Sequence, residues 1–223
     1  MGDGVKKQIQ DVEKGVQSAL LKHPEVFVEI EEGSPLYRAQ ATRHKNPIFY
    51  NKREDSDSRY RDSTREIGVA YVATIPEVAI AETFQHGVGG PGAPVLMSDI
   101  QDTSVYQMAA ARKLRLVDVG MANAFIGGRK LRDLVEAKGQ GSDGYVLTQA
   151  LSSAIMRYSE EIDGLLYNSH VFPAAANDGW NIVLFERETA QLVPVSSKPL
   201  TEVELANGQT AIEFLLDLNV TVE

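Results

Sequence analysis

The sequence predicts an α+β fold, with a mixed or antiparallel sheet as its core and helices flanking the sheet. Short apolar runs rich in β-branched and aromatic residues outnumber the helical patterns along the chain. The two kinds of pattern also fail to alternate, as they would in a parallel α/β fold. The chain is 43% hydrophobic and 24% charged, a composition typical of a soluble globular protein. Its 223 residues are enough for one large domain with appendages.

The first part of the chain predicts one helix, two strands and a long loop. Apolar residues recur at helical spacing in Val5–Leu21, which indicates a helix packed on the body of the protein. Val26–Ile30 and Leu36–Ala39 are predicted strands, separated by a Gly-Ser-Pro turn. Residues 43–66 are polar and irregular, so we expect a loop that carries functional side chains.

A buried strand followed directly by a helix is predicted after this loop. Gly68–Thr74 is a short apolar run with the composition of a core strand. Thr74, Pro76 and Glu77 then form a helix start, in which threonine caps, proline fits the first turn and glutamate completes a capping box. The helix is predicted from about residue 75 to about residue 85.

Glu82 is the residue of this helix that needs an explanation. It shares a helix face with Val78, and the opposite face is apolar as well. A carboxylate in such surroundings is costly unless it is paired or hydrogen-bonded. Two interpretations stay open on geometry alone: a residue at the rim of the core paired with Arg59, Arg61 or Arg65, or a functional acid.

The rest of the chain predicts further strands, two more helices before the C-terminus and a helix near its end. The predicted strands are Val95–Met97, Val105–Met108, Leu114–Val119, Leu165–Tyr167, Trp180–Phe185 and Leu192–Val195. The predicted helices are Arg129–Lys138, Tyr145–Ile162 and one that includes Ile212–Leu216. We expect an N-terminal helical extension over residues 1–25, a central domain over residues 26–198, and an acidic C-terminal appendage over residues 199–223 that packs on the domain.

Composition excludes several classes of function. The net charge of −9 disfavours nucleic-acid binding, and no apolar run is long enough to span a bilayer. The absence of cysteine removes disulfides, thiolate catalysis and cysteine-bound metals, and the four histidines lack ligand spacing, so we predict no metal site. Bases exceed acids between Arg38 and Arg65, which suits either a small anion such as a phosphate or a solvated loop.

Several short motifs, in their order and spacing, resemble the RES-domain family, which is named for its arginine, glutamate and serine. The motifs are Leu36-Tyr37-Arg38, Ser58-Arg59-Tyr60, Val69–Ala73, Ala79–Glu82, Tyr145–Leu151, Asp163–Ser169 and Asn181–Phe185. The resemblance covers about residues 36 to 185. It implies a fold similar to that of diphtheria-toxin-type ADP-ribosyltransferases, and it marks residues 26–198 as the NAD-cleaving domain.

The activity that this resemblance implies is destruction of NAD by cleavage of the nicotinamide N-glycosidic bond. Some members are NAD glycohydrolases, some are NAD phosphorylases, and some transfer ADP-ribose to a protein; many are held inactive by an antitoxin. NAD is then the substrate, no cofactor is needed, and a neutralising antitoxin or immunity protein is the expected partner. We expect action in the cytoplasm, including after delivery as an effector domain. A non-catalytic, partner-binding module on the same fold is the alternative from another class.

The resemblance also assigns site residues. It gives Arg38, Arg59, Tyr71, Glu82 and Ser169 as the two arginines, the tyrosine, the glutamate and the serine of the family, and Asn181 as a polar residue before the last core strand. Glu82 would stabilise the cation that forms on the ribose, with Tyr71 and Arg38 as the other catalytic residues. The two arginines would clamp the diphosphate, and Ser169 would hydrogen-bond the substrate.

The loop that carries the second arginine leaves one assignment open. Many members have Gly-Arg-Phe or Gly-Arg-Trp near the second arginine, whereas this chain has Ser58-Arg59-Tyr60-Arg61. Arg61 therefore remains a second candidate for the diphosphate contact. Taken without the resemblance, Tyr71 reads as a core aromatic, Ser169 as a polar residue at a strand end and Asn181 as a turn cap.

Overall fold

Eight strands form one mixed sheet in the computed structural model, which describes residues 3–53, 58–84, 94–126, 145–169, 171–172 and 179–223. The strands are β1 Phe27–Ile30, β2 Pro35–Ala41, β3 Val69–Ala73, β4 Thr103–Ala110, β5 Leu114–Asp118, β6 Gly164–Asn168, β7 Trp180–Phe185 and β8 Leu192–Pro199. Their order in the sheet is β1-β5-β6-β7-β3-β2-β4-β8. Only the β5–β6 pair is parallel, so the α+β class with a mixed sheet is confirmed.

Helices lie around this sheet. Within the described residues they are α1 Asp3–Lys22, α2 Pro76–Phe84, α3 Met97–Gln101, α4 Val119–Ile126, α5 Val146–Tyr158 and α6 Ala211–Asp217, with short 3-10 turns at Pro24–Val26 and Leu200–Glu202. None of the described helices is long and apolar enough to cross a membrane.

Most predicted elements are present, and the exceptions have local causes. Val95–Met97 was expected to be a strand, but Met97 begins α3, whose start is stabilised where the Asp99 carboxylate accepts the backbone N–H of Leu96. Val95 instead forms an isolated bridge with Val222. The predicted helix from Tyr145 ends at Tyr158, four residues early, because the next residue is extended. The helix predicted over residues 129–138 lies outside the described residues.

The middle of the sheet opens between β2 and β3. These strands pair at only one position, Tyr37 with Ala73, whereas β3 pairs with β7 along its whole length. On the other side β2 pairs with β4 over all seven of its residues. Two strands that touch at a single pair must diverge on either side of it, and a space is left beside the exposed edges. The candidate site lies beside this opening.

The N-terminal helix is part of the main hydrophobic core. Its residues Val12, Val16 and Leu20 are buried in the same cluster as Leu151 and Ile155 of α5. Burial of an aliphatic side chain contributes roughly 1.5–3 kcal/mol, so α1 adds substantially to the stability of the sheet-and-helix body. The domain boundaries proposed from the sequence stay a prediction, since packing does not say where an independently folding unit begins.

The C-terminal segment packs behind α2. Phe214 and Leu215 of α6 are buried together with Ile80 and Phe84 of α2. Thr210 caps α6 through a capping box with the glutamate three residues later. The segment therefore fixes the position of the helix that carries Glu82.

Candidate active site

A cleft of about 380 Å³ lies where β2, β3 and α2 meet the arginine loop, residues 58–67. Its lining includes five of the residues that the sequence singled out, together with three further tyrosines. The lining residues are Tyr37, Arg38, Ala39, Ser58, Arg59, Tyr71, Val72, Ala73, Ala79, Glu82, Thr83, Tyr145, Tyr167 and Asn181. Arg38, Arg59, Tyr71, Glu82 and Asn181, distant in sequence, are thus brought to one place.

Glu82 projects into this cleft from a helix that is otherwise mostly buried. Its carboxylate oxygen Oε1 accepts a hydrogen bond from Ser169 Oγ at 2.8 Å and another from Asn181 Nδ2 at 2.6 Å. Hydrogen bonds to the charged form stabilise a carboxylate in its ionised state. Both donors are neutral, so they fix the orientation of the group without cancelling its charge.

Ser169 lies behind Glu82, and it does not line the cleft. The side chain is buried, and its oxygen also accepts the backbone N–H groups of Val171 at 3.2 Å and Phe172 at 3.0 Å. A hydroxyl has one proton to donate, and here Glu82 receives it. The geometry therefore gives Ser169 the role of holding Glu82, and the direct substrate contact expected from the sequence stays a prediction.

Arg38 is anchored by the backbone that follows β2. Its Nη1 donates to the carbonyl of Pro47 at 3.1 Å and to that of Phe49 at 3.4 Å. Burial lowers the pKa of Arg38, although an arginine with a depressed pKa still carries its charge at neutral pH. Among the described acidic side chains, none forms an ion pair with Arg38 or with Arg59. The cleft thus contains two cationic groups that can bind an anion.

Helix α5 holds the arginine loop in place. Gln149 donates to the carbonyl of Ser58 at 3.1 Å, and Ser152 donates to the carbonyl of Tyr60 at 2.6 Å. The Tyr71 hydroxyl accepts the backbone N–H of Tyr60 at 3.1 Å. Arg59 lies between these anchors, and its guanidinium is 5.8 Å from the ring centroid of Tyr145, at the start of α5.

Asp62 is the buried anchor in the middle of the loop. It accepts hydrogen bonds from the Thr64 hydroxyl, the backbone N–H of Ile67, Ser153 Oγ and the guanidinium of Arg157. Burial raises the pKa of Asp62, but these hydrogen bonds outweigh burial and lower it to about 2. Sequence reasoning counted Asp62 only as one of the acids of a charged loop, because nothing local shows that α5 supplies its partners.

Acid should therefore loosen the arginine loop. Because the pKa of Asp62 is lower in the folded chain than its ordinary value of 3.8, the carboxylate stabilises the fold above that pH and loses this contribution as the pH falls towards 2. We expect Asp62→Asn to cost about 2 kcal/mol of unfolding free energy at neutral pH, and the cost to shrink below pH 4. Urea unfolding between pH 7 and pH 2 measures this. The exposed Asp11→Asn is the control, and a cost for Asp62→Asn that stays constant down to pH 2 contradicts the assignment.

Arg61 points to a different place from Arg59. It lines a separate small depression with Asp62 and Arg65, and it does not contribute to the main cleft. The geometry therefore favours Arg59 as the arginine that meets a ligand in the cleft, which the sequence left open.

The tyrosines Tyr37, Tyr145 and Tyr167 were missed as site residues. Tyr37 and Tyr167 lie in predicted strands, where aromatic residues usually belong to the core, and Tyr145 is at the start of a predicted helix. Burial raises the pKa of Tyr71 and raises that of Tyr167 well above its ordinary value, so both remain neutral at physiological pH. Neutral aromatic walls are suited to flat, apolar rings.

Metal-ligating side chains do not gather in the part of the chain that the structure describes. No group of three or more histidine, aspartate or glutamate residues is close enough there to hold a metal ion. The predicted absence of a metal or cofactor remains a prediction for the whole chain.

Comparison with known proteins identifies the family. The family model described as the RES domain matches residues 35–205. This chain belongs to the RES-domain family. The match includes every site residue that the resemblance assigned, from Arg38 to Asn181, so all of them lie within the RES domain. No curated protein matches the chain in sequence.

A solved structure has the same fold as this RES-domain protein. It is the crystal structure of the M. tuberculosis MbcT–MbcA toxin–antitoxin complex, one chain of which superposes with a TM-score of 0.60 at 15% sequence identity. The similarity covers 94% of this chain and 100% of that chain. It therefore extends beyond the residues of the family match.

Proposed function

We propose that this RES-domain protein is a toxin that depletes NAD by cleaving the N-glycosidic bond to nicotinamide, with water or phosphate as the acceptor. The observation that carries the proposal is the cleft itself. One wall presents the Glu82 carboxylate, fixed by Ser169 and Asn181, and the same cleft contains the guanidinium groups of Arg38 and Arg59. Opposite charges at separate positions fit a substrate that becomes positive at one end and carries anionic phosphates at the other.

The chemistry at Glu82 follows from how charge develops. As nicotinamide leaves, its bonding electron pair goes with it, and the ribose carbon becomes an oxocarbenium-like cation. A carboxylate held in place before the reaction stabilises that cation without reorganising. The hydrogen bonds from Ser169 and Asn181 fix the direction of the charge, and water or phosphate then completes the reaction by adding to the ribose carbon.

The arginines and tyrosines would bind the rest of the dinucleotide. A guanidinium forms paired hydrogen bonds with phosphate oxygens, which the ammonium of lysine cannot reproduce. Arg38 and Arg59 would bind the diphosphate in this way. The rings of Tyr71 and Tyr167 also line the cleft, and their flat apolar surfaces suit a nicotinamide ring.

A neutralising antitoxin is the partner that we propose. The structural neighbour was solved as a toxin–antitoxin complex, and an enzyme that consumes NAD would harm the cell that makes it. Since NAD is a cytoplasmic metabolite, we propose the cytoplasm as the site of action, whether or not the protein arrives there as an effector.

An NAD-cleavage assay with and without inorganic phosphate tests the proposal. We expect the purified protein to release nicotinamide, with ADP-ribose as the second product in water and a phosphorylated ADP-ribose if phosphate is the acceptor. Radiolabelled NAD with cell lysate forms the second arm, and a stable labelled protein band would indicate ADP-ribosyl transfer instead. If no nicotinamide appears in either arm at any phosphate concentration, the enzymatic proposal is wrong and a non-catalytic binding module becomes the better explanation.

A further inference from the structure

Beneath the cleft lies a buried hydroxyl, that of Tyr60, which has no role in the proposed mechanism. Tyr60 is a residue of the arginine loop whose side chain is fully buried against the core. Its ring packs against that of Tyr167, with 4.9 Å between the ring centroids. Its hydroxyl oxygen is buried as well, and it has no hydrogen-bond partner among the described residues. The backbone of Tyr60, in contrast, is bonded at both ends, to Tyr71 and Ser152.

An unpartnered buried hydroxyl is costly. Leaving such a group without a hydrogen bond destabilises a fold, and phenylalanine would fill almost the same volume at this position without the penalty. Most buried polar groups in folded proteins have partners, so an exception calls for a function. A partner that reaches the Tyr60 hydroxyl in another arrangement of the site would account for it.

The surroundings of the hydroxyl indicate which partner this is. A ligand in the cleft cannot reach the oxygen directly, because the Tyr60 side chain has no exposed surface. Arg59 is the adjacent residue, and its guanidinium lines the cleft above Tyr60. Burial raises the pKa of Tyr60 to about 12, while the positive charge of Arg59 and a hydrogen-bond contact from its side chain oppose this rise. That contact falls short of full hydrogen-bond geometry in this arrangement, so the guanidinium is close to the hydroxyl without satisfying it.

We propose that the Tyr60 hydroxyl is a positioning group for Arg59, which accepts one guanidinium N–H when the other N–H groups bind the diphosphate. Guanidinium has five N–H donors in one plane, and two of them suffice for a paired contact with phosphate oxygens. A donor on the inner edge then remains for Tyr60. This second contact fixes the plane of the guanidinium, which otherwise turns about a long flexible side chain. The inference rests on the proposed function only in taking the diphosphate as the anion of the cleft.

Tyr60→Phe separates this role from packing. Because the hydroxyl has no partner in the fold, the thermal unfolding midpoint of the variant should be unchanged or higher than that of the wild type. Its affinity for ADP-ribose, measured by calorimetry, should fall about tenfold, the cost of one hydrogen bond to a charged group. If NAD is turned over, the KM should rise by about the same factor while kcat stays nearly constant.

Two controls make the result specific. Tyr50→Phe removes the hydroxyl of another mostly buried tyrosine, which donates to Gln191 at 2.7 Å outside the cleft, so it should lower the unfolding midpoint and leave ADP-ribose affinity unchanged. In an Arg59→Ala background, Tyr60→Phe should have no further effect on affinity, because the two residues act as one unit.

The inference and the proposed function can fail separately. Equal ADP-ribose affinity in Tyr60→Phe and wild type, or additive effects with Arg59→Ala, overturns the positioning role whether or not NAD is cleaved. A wild type that binds no ADP-ribose overturns it as well. Loss of ADP-ribose affinity in a protein that does not cleave NAD supports the positioning role and rejects only the enzymatic proposal.

Discussion

Replacing Glu82 by glutamine is expected to lower kcat/KM for nicotinamide release by about 10³-fold while the fold is kept. The amide oxygen of glutamine can still accept the hydrogen bonds that Ser169 and Asn181 donate to Glu82, so the local geometry survives. What disappears is the negative charge that stabilises the ribose cation, and loss of one preorganised electrostatic group typically costs about 10²- to 10³-fold. Steady-state NAD cleavage and thermal unfolding, measured on the same preparation, check both halves of the prediction.

Glu77→Gln is the matched control for this experiment. Glu77 lies in the first turn of the same helix α2 and does not line the cleft, so Glu77→Gln removes one negative charge from the helix and none from the cleft lining. Activity close to that of the wild type is expected. If Glu82→Gln keeps more than about a tenth of the wild-type activity, Glu82 is not the group that stabilises the cation.

Arg59→Ala is expected to raise the KM for NAD by about 100-fold, and Arg61→Ala by no more than a few-fold. Truncating one partner of a charged hydrogen-bonded contact costs roughly 2–5 kcal/mol, and of Arg59 and Arg61 it is Arg59 that lines the cleft. Arg59→Lys should recover only part of the loss, because an ammonium keeps the charge and loses the paired geometry.

Measuring the arginine variants requires that the loop stays folded. Arg61 lies beside Asp62, whose carboxylate anchors the loop, so kinetics should be recorded well below the unfolding temperature of each variant. The opposite order of effects, with Arg61→Ala impaired and Arg59→Ala nearly normal, would show that the loop adopts another arrangement when substrate binds.

The sheet was largely predictable from the sequence because the buried strands are marked by short apolar runs in their own residues. The apolar run before Thr74 and the segment Trp180–Phe185 both became central strands within a residue of the predicted limits. The strand predicted over Val95–Met97 was wrong because the structure of this segment depends on a distant contact, the bridge between Val95 and Val222. A local sequence pattern cannot identify a pairing partner that is more than a hundred residues away.

The candidate site was predictable in its charged residues and unpredictable in its supporting contacts. Glu82 on an apolar helix needs a partner whatever the fold, and this need is visible in the sequence. That the partners are Ser169 and Asn181 follows only from the order of strands β6, β7 and β3 in the sheet. Likewise, the role of Asp62 depends on α5, which is supplied by a distant part of the chain.

The hydrogen bond from Asn181 to Glu82 also has a consequence during protein synthesis. Asn181 is on β7, and β7 can pair with β3 only after the chain has been made as far as Phe185. A nascent chain, or one released by premature termination before Trp180, contains the arginines and the glutamate but lacks the strand that orients Glu82. The order of the elements along the chain thus postpones assembly of the complete candidate site until β7 has been made, long after the helix that carries Glu82.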